Sequence, residues 1–442
     1  MTEGIQGAAA RQLCVVVPTF NERDNVPKLL AKLDAALSGI AWEAIFVDDN
    51  SPDGTWQVVR QLAQADPRVR CLRRIGRRGL SGACIEGILA SSAPFVAVMD
   101  ADLQHDETRL PQMLALLEAG EADLKVPAWL NDVTLYHNRG NTTFTGEDSQ
   151  YGDFFGLDDL FTEHPTVRRG MIDIYRTWVT EFGIDGFRID TMKHVDDEFW
   201  KAFGPALLRT ARAQGNDDFL MFGEVALDGA DAAAKAFTSH YTTAARMQAI
   251  LDFPFQWAAR DFASRGHDAR ELASFFENDD WYTDRDSNVY ALPTFLGNHD
   301  MGRFGWMVGH DNPEADAEEL LARDRLGHEL MFPSRGMPVV YYGNVQGFTG
   351  TGGDPAGRQT LFASQVPDYV EDVQLGTDGK TPATDSFDTE HPLYRTIAEL
   401  DALTERHPAL RDGAHQMRYA ADGPGLVAFS RTDRRQQREY VV

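Results

Sequence analysis

The chain has 442 residues, 43% of them hydrophobic and 25% charged, with 68 Asp and Glu against 42 Lys and Arg for a net charge of −26. That length predicts two or three domains, each able to bury a sizeable core. The acidic balance argues against nucleic acid or anionic membrane as partners, since both are polyanions that need clustered Lys and Arg.

The opening stretch MTEGIQGAAARQL has no apolar core of signal-peptide length. No later segment reaches the roughly 18 consecutive apolar residues of a membrane span, so the expectation is a soluble, cytoplasmic chain without one. Residues 13–126 alternate short apolar runs, LCVVVP (13–18), EAIFVDD (43–49), VRCLRR (69–74), FVAVMD (95–100) and ADLKVP (122–127), with amphipathic stretches such as NVPKLLAKLDAAL (25–37). This βαβαβαβαβ pattern predicts a parallel, doubly wound α/β sheet, whose ligands sit beyond the carboxyl ends of the strands. Acids fall at those ends: Asp48 and Asp49 after the second run, Asp100 and Asp102 after the fourth. An Asp-x-Asp pair there suits Mg²⁺ or Mn²⁺ bridging a diphosphate, because hard cations take oxygen ligands and share them with substrate phosphates. A helix cap and a solvated loop explain the same spacing. The basic cluster Arg73, Arg74, Arg77 and Arg78 reads either as a solvated loop or as a face for a phosphorylated ligand. Three widely spaced cysteines, Cys14, Cys71 and Cys84, make neither a disulfide framework nor a zinc site.

Taken together, PTFNE (18–22), VDDNSPDGT (47–55), RRIGRRGLSGA (73–83) and MDADLQH (99–105) resemble, in order and spacing, the family 2 glycosyltransferases of the dolichyl- or polyprenyl-phosphate type. The resemblance implies the nucleotide-sugar half of a GT-A fold over residues 1–125. It implies that Pro18, Thr19, Glu22 and Asp49 line a pocket for a UDP- or GDP-sugar, and that Asp100, Asp102 and Gln104 surround the metal and diphosphate. It stops near Leu124, before any acceptor-binding half.

Near Lys125 the text changes. Residues 1–125 hold only five aromatics (Phe20, Trp42, Phe46, Trp56, Phe95) and none of the 12 tyrosines, and carry a net charge of −4 against −22 for the remainder. Three strand ends then carry chemistry. GIDGFRIDTMKHV (183–195) puts Arg188 beside Asp190 on one strand face, and a guanidinium there keeps a carboxylate ionised, as a nucleophile must be. FLMFGEV (219–225) ends in Glu224, whose apolar surroundings suit a proton donor. TFLGNHD (294–300) ends in His299 and Asp300.

With YHNRGN (136–141), GLDDLFTEHP (156–165) and MPVVYYGNVQGF (337–348), these stretches resemble the α-amylase family of glycoside hydrolases over most of residues 127–442. The resemblance implies a (β/α)₈ barrel with Asp190 as nucleophile, Glu224 as general acid/base and Asp300 as the third acid. Arg188, Lys193, His194, His299 and Tyr136 then contact or orient the sugar of an α-glucan or maltooligosaccharide. Such a barrel usually begins with three further βα units, ending in an Asp and a His five residues apart that help bind Ca²⁺. Those units are absent, and the nearest match, Asp100 to His105, belongs to the transferase text. Relatives also commonly carry acids where Asn344 and Val345 stand.

The sequence therefore predicts a chimera: a donor-binding half (1–125), an incomplete barrel (126–412) and a truncated C-terminal β-sandwich (413–442). Retaining α-glucan hydrolysis is the leading functional expectation. Nucleotide-sugar transfer by the first part and a catalytically inactive chimera are the alternatives.

Overall fold

A computed structural model of the chain describes residues 11–76, 79–118, 125–350, 353 and 355–442. They form two compact units, Met1–Asn131 and Asp132–Val442.

The first unit runs β1 (Leu13–Thr19), α1 (Val26–Ala36), β2 (Trp42–Asp48), α2 (Thr55–Ala65), β3 (Val69–Arg73), α3 (Leu80–Ala90), β4 (Phe95–Val98) and α4 (Leu110–Glu118). The strands are parallel in the order β3-β2-β1-β4, so the chain reverses direction across the sheet at β1. Every residue of β1 and β2 is buried, which is what a sheet covered on both faces produces. Alternation divides the strand residues between two cores. Leu13, Val15, Val17, Trp42 and Phe46 pack with Val26, Leu29 and Leu33 of α1, while Cys14, Val16, Ile45 and Val47 pack with Ala83 of α3. Gly87 lets α3 approach, since a Cβ there would sit 2.3 Å from Val16 Cγ1. The expected fifth strand lies largely outside the described residues, and Lys125–Pro127 is irregular.

The second unit runs α5 (Asp148–Tyr151), α6 (Pro165–Glu181), β5 (Gly186–Ile189), α7 (Asp197–Ala213), β6 (Leu220–Gly223), α8 (Ala232–Thr243), β7 (Ala249–Ile250), α9 (Phe253–Ala259), α10 (Ala269–Glu277), β8 (Pro293–Phe295), α11 (Phe304–Asp311), α12 (Ala317–Met331) and β9 (Met337–Val339). It ends with α13 (Pro367–Val370), α14 (Pro392–Arg406), α15 (Ala409–Asp412), β10 (Ala414–Ala420), β11 (Val427–Asp433) and β12 (Arg438–Val441). Strands β5, β6 and β7 pair in parallel and in chain order, as do β8 and β9. A hydrogen bond from Asp252 N to Pro293 O (2.9 Å) links the end of β7 to β8. Parallel strands in chain order with helices between them make an arc of the barrel kind, unlike the first unit's sheet.

The C-terminal strands form an antiparallel sheet, β10-β11-β12. Buried Arg431 of β11 donates to the carbonyls of Pro333 (2.7 Å), Ser334 (2.5 Å), Gly413 (3.1 Å) and Arg411 (3.2 Å), joining this sheet to the approach to β9. Beside it, the His415 ring lies 4.4 Å from Phe276 and 4.6 Å from Phe429, with Nε2 sealed from solvent. Burial pushes the His415 pKa down to about 3, and Arg335 and Arg431 add to the effect.

A His held neutral by folding makes the unfolded chain the better proton acceptor between its ordinary pKa and the depressed one. His415 therefore removes stability as the pH falls from about 6.5 towards 3. His415→Phe keeps the aromatic packing and deletes the titration. Its denaturant midpoint relative to wild type is expected to rise progressively between pH 7 and pH 4; a constant offset across that range would assign the acid lability elsewhere.

Candidate active site

Parallel pairing sets the geometry of the second unit's acids. Ile189 is in register with Gly223, and Glu224 N donates to Ile189 O at 2.7 Å, so Asp190 and Glu224 follow at neighbouring strand ends. Arg188 hydrogen-bonds Asp190 through Nη1, and its Nη2 lies 3.9 Å from Glu224 Oε2. One guanidinium thus faces both carboxylates. The environments of the two acids differ: the Glu224 side chain is 12% exposed and accepts from Thr191 N at 2.9 Å, whereas the Asp190 side chain is 65% exposed. Thr191 takes φ of +49°, a left-handed conformation that is strained for a β-branched residue, and its amide is thereby spent on Glu224.

Lys193 and His194 lie in the next turn. Lys193 Nζ donates to Ala226 O (2.6 Å), and His194 Nδ1 meets Ser149 O (2.7 Å) with Phe144 and Phe154 edge-on to its ring. Burial lowers the His194 pKa. Tyr136 bridges to Leu160 at the start of the 132–164 segment. That segment is tied by His137, which contacts Asp159 Oδ2 (2.6 Å) through Nδ1 and Glu163 Oε2 (3.0 Å) through Nε2. Burial raises the Asp159 pKa to about 6, against the opposing effect of His137.

Asp300 is not on a strand. Strand β8 ends at Phe295, and the acid sits in a turn built by Asn298, whose Oδ1 accepts from Asp300 N (3.0 Å) and Met301 N (2.8 Å). Its carboxylate faces His299 Nε2 (3.2 Å) and Arg358 Nη2 (3.5 Å). The turn is anchored by fully buried Arg303, which donates to Gln359 Oε1 (2.6 Å) and Tyr342 O (2.5 Å). Sequence reading missed Arg358, Arg303 and Thr191. For Arg358 the one available signal is the glycine-rich stretch GTGGDPAGR, which marks a loop and nothing more.

In the first unit, Pro18 and Thr19 close β1, and Thr19 Oγ1 donates to Asp48 Oδ2 (3.1 Å). Glu22 accepts from Asn25 Nδ2 (2.7 Å) and its amide donates to Thr55 Oγ1 (2.9 Å). Asp49 is buried and accepts from Arg74 Nη1 (2.8 Å) and Gly79 N (2.7 Å), so part of the basic cluster is internal. Arg77 and Arg78 lie outside the described residues. Past β4, Asp100 Oδ2 lies 3.5 Å from His105 Nε2, and Asp102 Oδ1 accepts from Gln104 N (3.0 Å).

Among the described residues no three His, Cys, Asp or Glu side chains converge as a metal-binding group. The acids past β4 that could share a hard cation with a diphosphate are Asp100 and Asp102. No helix among the described residues is long and apolar enough to cross a membrane.

Comparison with known proteins finds two families in the chain, whose matches overlap over residues 121–188 instead of meeting at the end of the first unit. The family model for the α-amylase catalytic domain matches residues 121–413, and that for glycosyl transferase family 2 matches residues 14–188. An α-amylase of Streptomyces lividans is 52% identical over 350 residues, covering 78% of this chain and 37% of its own. That coverage exceeds the length of the second unit, so the similarity reaches into the first. A dolichol-phosphate mannosyltransferase of Pyrococcus furiosus is 39% identical over 109 residues, covering 25% of this chain and 31% of its own. The chain therefore spans about a third of the length of each. Among solved structures, an α-amylase from Anoxybacillus superposes with a TM-score of 0.54 at 20% identity, over 95% of this chain and 84% of its own.

Gly223, immediately before Glu224, tests how tightly the two acids are set. A Cβ there would lie 2.2 Å from Sδ of fully buried Met192, in the turn that follows Asp190. Gly223→Ala is expected to cost about 1–3 kcal/mol by overpacking and to reduce any hydrolysis by roughly a hundredfold through misplacement of the acids. An Ala variant with unaltered thermal midpoint and turnover would show that the turn moves freely.

Proposed function

We propose, for a chain that belongs to the α-amylase family through residues 121–413, that its second unit carries the chemistry of a retaining α-glucan hydrolase. The observation that carries this reading is the register of β5 and β6. Neighbouring parallel strands lie about 4.8 Å apart, and residues continuing one register point the same way, so Asp190 and Glu224 suit the roughly 5–5.5 Å carboxyl separation of retaining glycosidases. Asp190 attacks the anomeric carbon from its exposed position beside Arg188. Glu224, recessed and held by the Thr191 amide, protonates the leaving oxygen and later activates water. Asp300, steadied by His299 and Arg358, binds sugar hydroxyls and supports the transition state. Tyr136, Lys193 and His194 border the sugars on either side.

We further propose that β5 to β9, which run in chain order, are an incomplete arc of the barrel, since the strands of the first unit follow a doubly wound order; low activity is the expected consequence. Proton NMR of maltooligosaccharide cleavage tests the chemistry. The first product is expected as the α-anomer, with cleavage lost in Asp190→Asn and Glu224→Gln; initial β-anomer, or full activity in either variant, would contradict the assignment.

The first unit supports a second activity, binding of a nucleotide sugar beyond β1, β2 and β4. Pro18, Thr19, Glu22 and Asp49 would border the nucleotide, and Asp100, Asp102 and Gln104 the metal and diphosphate. A bound Mg²⁺ or Mn²⁺ supplies charge neutralisation at the diphosphate. Binding of the nucleotide sugar, and not transfer from it, is the activity proposed. Calorimetry with UDP- and GDP-sugars is expected to show Mn²⁺-dependent heat that weakens in Asp102→Ala; identical heats with and without the metal would remove this reading.

A further inference from the structure

The outer face of α8 presents Ala233, Ala236, Phe237 and His240 in one helical stripe, the spacing at which side chains line up on a single face. Opposite them stand Asp197, the first residue of α7, and Gln150 of α5, enclosing an open groove of about 800 Å³. Phe237 is 46% exposed, and the small side chains of Ala233 and Ala236 share the groove lining with it. The ring is braced from behind by Tyr241, edge-on at 5.6 Å. At the rim, His240 Nε2 and Asp197 Oδ2 are 2.7 Å apart, and Gln150 adds an amide with both donor and acceptor capacity.

The groove begins where the candidate active site ends. Asp197 lies three residues beyond His194 in the chain, and Gln150 follows Ser149, whose carbonyl meets His194 Nδ1 at 2.7 Å. The geometry points to a distal binding site for an α-glucan chain, in which one pyranose lies on Phe237 while Gln150, His240 and Asp197 take its hydroxyls. This rests on the hydrolase reading for the identity of the sugar. The chemistry fits a sugar better than a protein. The groove floor offers one exposed aromatic with polar planar groups at its edge, whereas a specific protein interface has an apolar core and buries about 1,200–2,000 Å².

The test is affinity electrophoresis of the full chain in native gels cast with soluble amylose. Wild type is expected to be retarded, Phe237→Ala to bind about fivefold more weakly, a loss typical of an exposed aromatic anchor, and Phe237→Trp to bind at least as well as wild type. Wild-type mobility indifferent to amylose would overturn the proposal, as would unchanged retardation in Phe237→Ala with its thermal midpoint intact. Retardation that depends on Phe237 in a chain showing no hydrolysis upholds the groove while removing the hydrolase reading. A concentration-dependent sedimentation shift abolished by Phe237→Ala, without any amylose dependence, assigns the surface to a second copy of the chain and overturns the sugar site.

Discussion

A buried charge network holds the second unit's arc together. The Arg335 guanidinium, wholly inaccessible, pairs with Asp252 through Nη1 and with both oxygens of Asp279 (2.9 and 3.0 Å), while Lys235 Nζ reaches Asp279 at 2.8 Å and Phe275 O at 2.5 Å. Four chain segments meet there: the start of α9 after β7, the turn after α10, α8, and the approach to β9. Desolvating two cations and two carboxylates costs several kcal/mol per ion, a penalty such a group offsets only when every charge is met with good geometry. Here each is, and the rings of Phe255, Phe275 and Phe276 close over the guanidinium at 5.2–5.7 Å. Burial lowers the Lys235 pKa, opposed by Asp279.

The network sets register. Asp252 also caps α9 through Phe255 N (3.0 Å), and its own amide bonds Pro293 O, the link between β7 and β8. Glu224 follows β6, the strand paired with β7 on one side of that link, and Asp300 lies in the chain leaving β8 on the other. The separation of Glu224 from Asp300 thus depends on ion pairs that touch neither. On the near side the same role falls to packing, where Gly186 and Gly223 allow β5, β6 and the Met192 turn to close; a Cβ on Gly186 would meet Leu220 O at 2.2 Å.

Legibility in the sequence tracked how local each determinant was. The strands of the first unit were readable because LCVVVP and EAIFVDD are uninterrupted apolar runs, and such runs occur where both sheet faces are covered. The strands of the arc were harder. They span two to four residues, and β7 is Ala249–Ile250 alone, too short for any periodicity to register. Arg188, Asp190 and Glu224 were named from strand-end motifs and come together as neighbours in one register. Asp300 was placed at a strand end, but the Asn298 turn carries it clear of β8. Arg335, in PSRGMP, and Lys235, in an alanine-rich helix, carry no local sign of burial, because each is sealed by residues 40 or more positions away. The sequence suggests Asp49 as a nucleotide ligand, whereas its hydrogen bonds to Arg74 and Gly79 come from 25 and 30 residues away and leave no local sign.

Five short strands, β5 to β9, bring Asp190, Glu224 and Asp300 to their ends or to the turns that follow, and the proposal that they form an incomplete barrel is open to a direct test. The decisive measurement is turnover on maltooligosaccharides for this chain beside a fusion in which the first three βα units of a related α-amylase replace residues 1–126. The fusion is expected to be faster by well over tenfold, since displacement of catalytic groups by about 1 Å costs roughly a hundredfold. Equal turnover would contradict the incomplete arc and would mean that the first unit already completes the barrel.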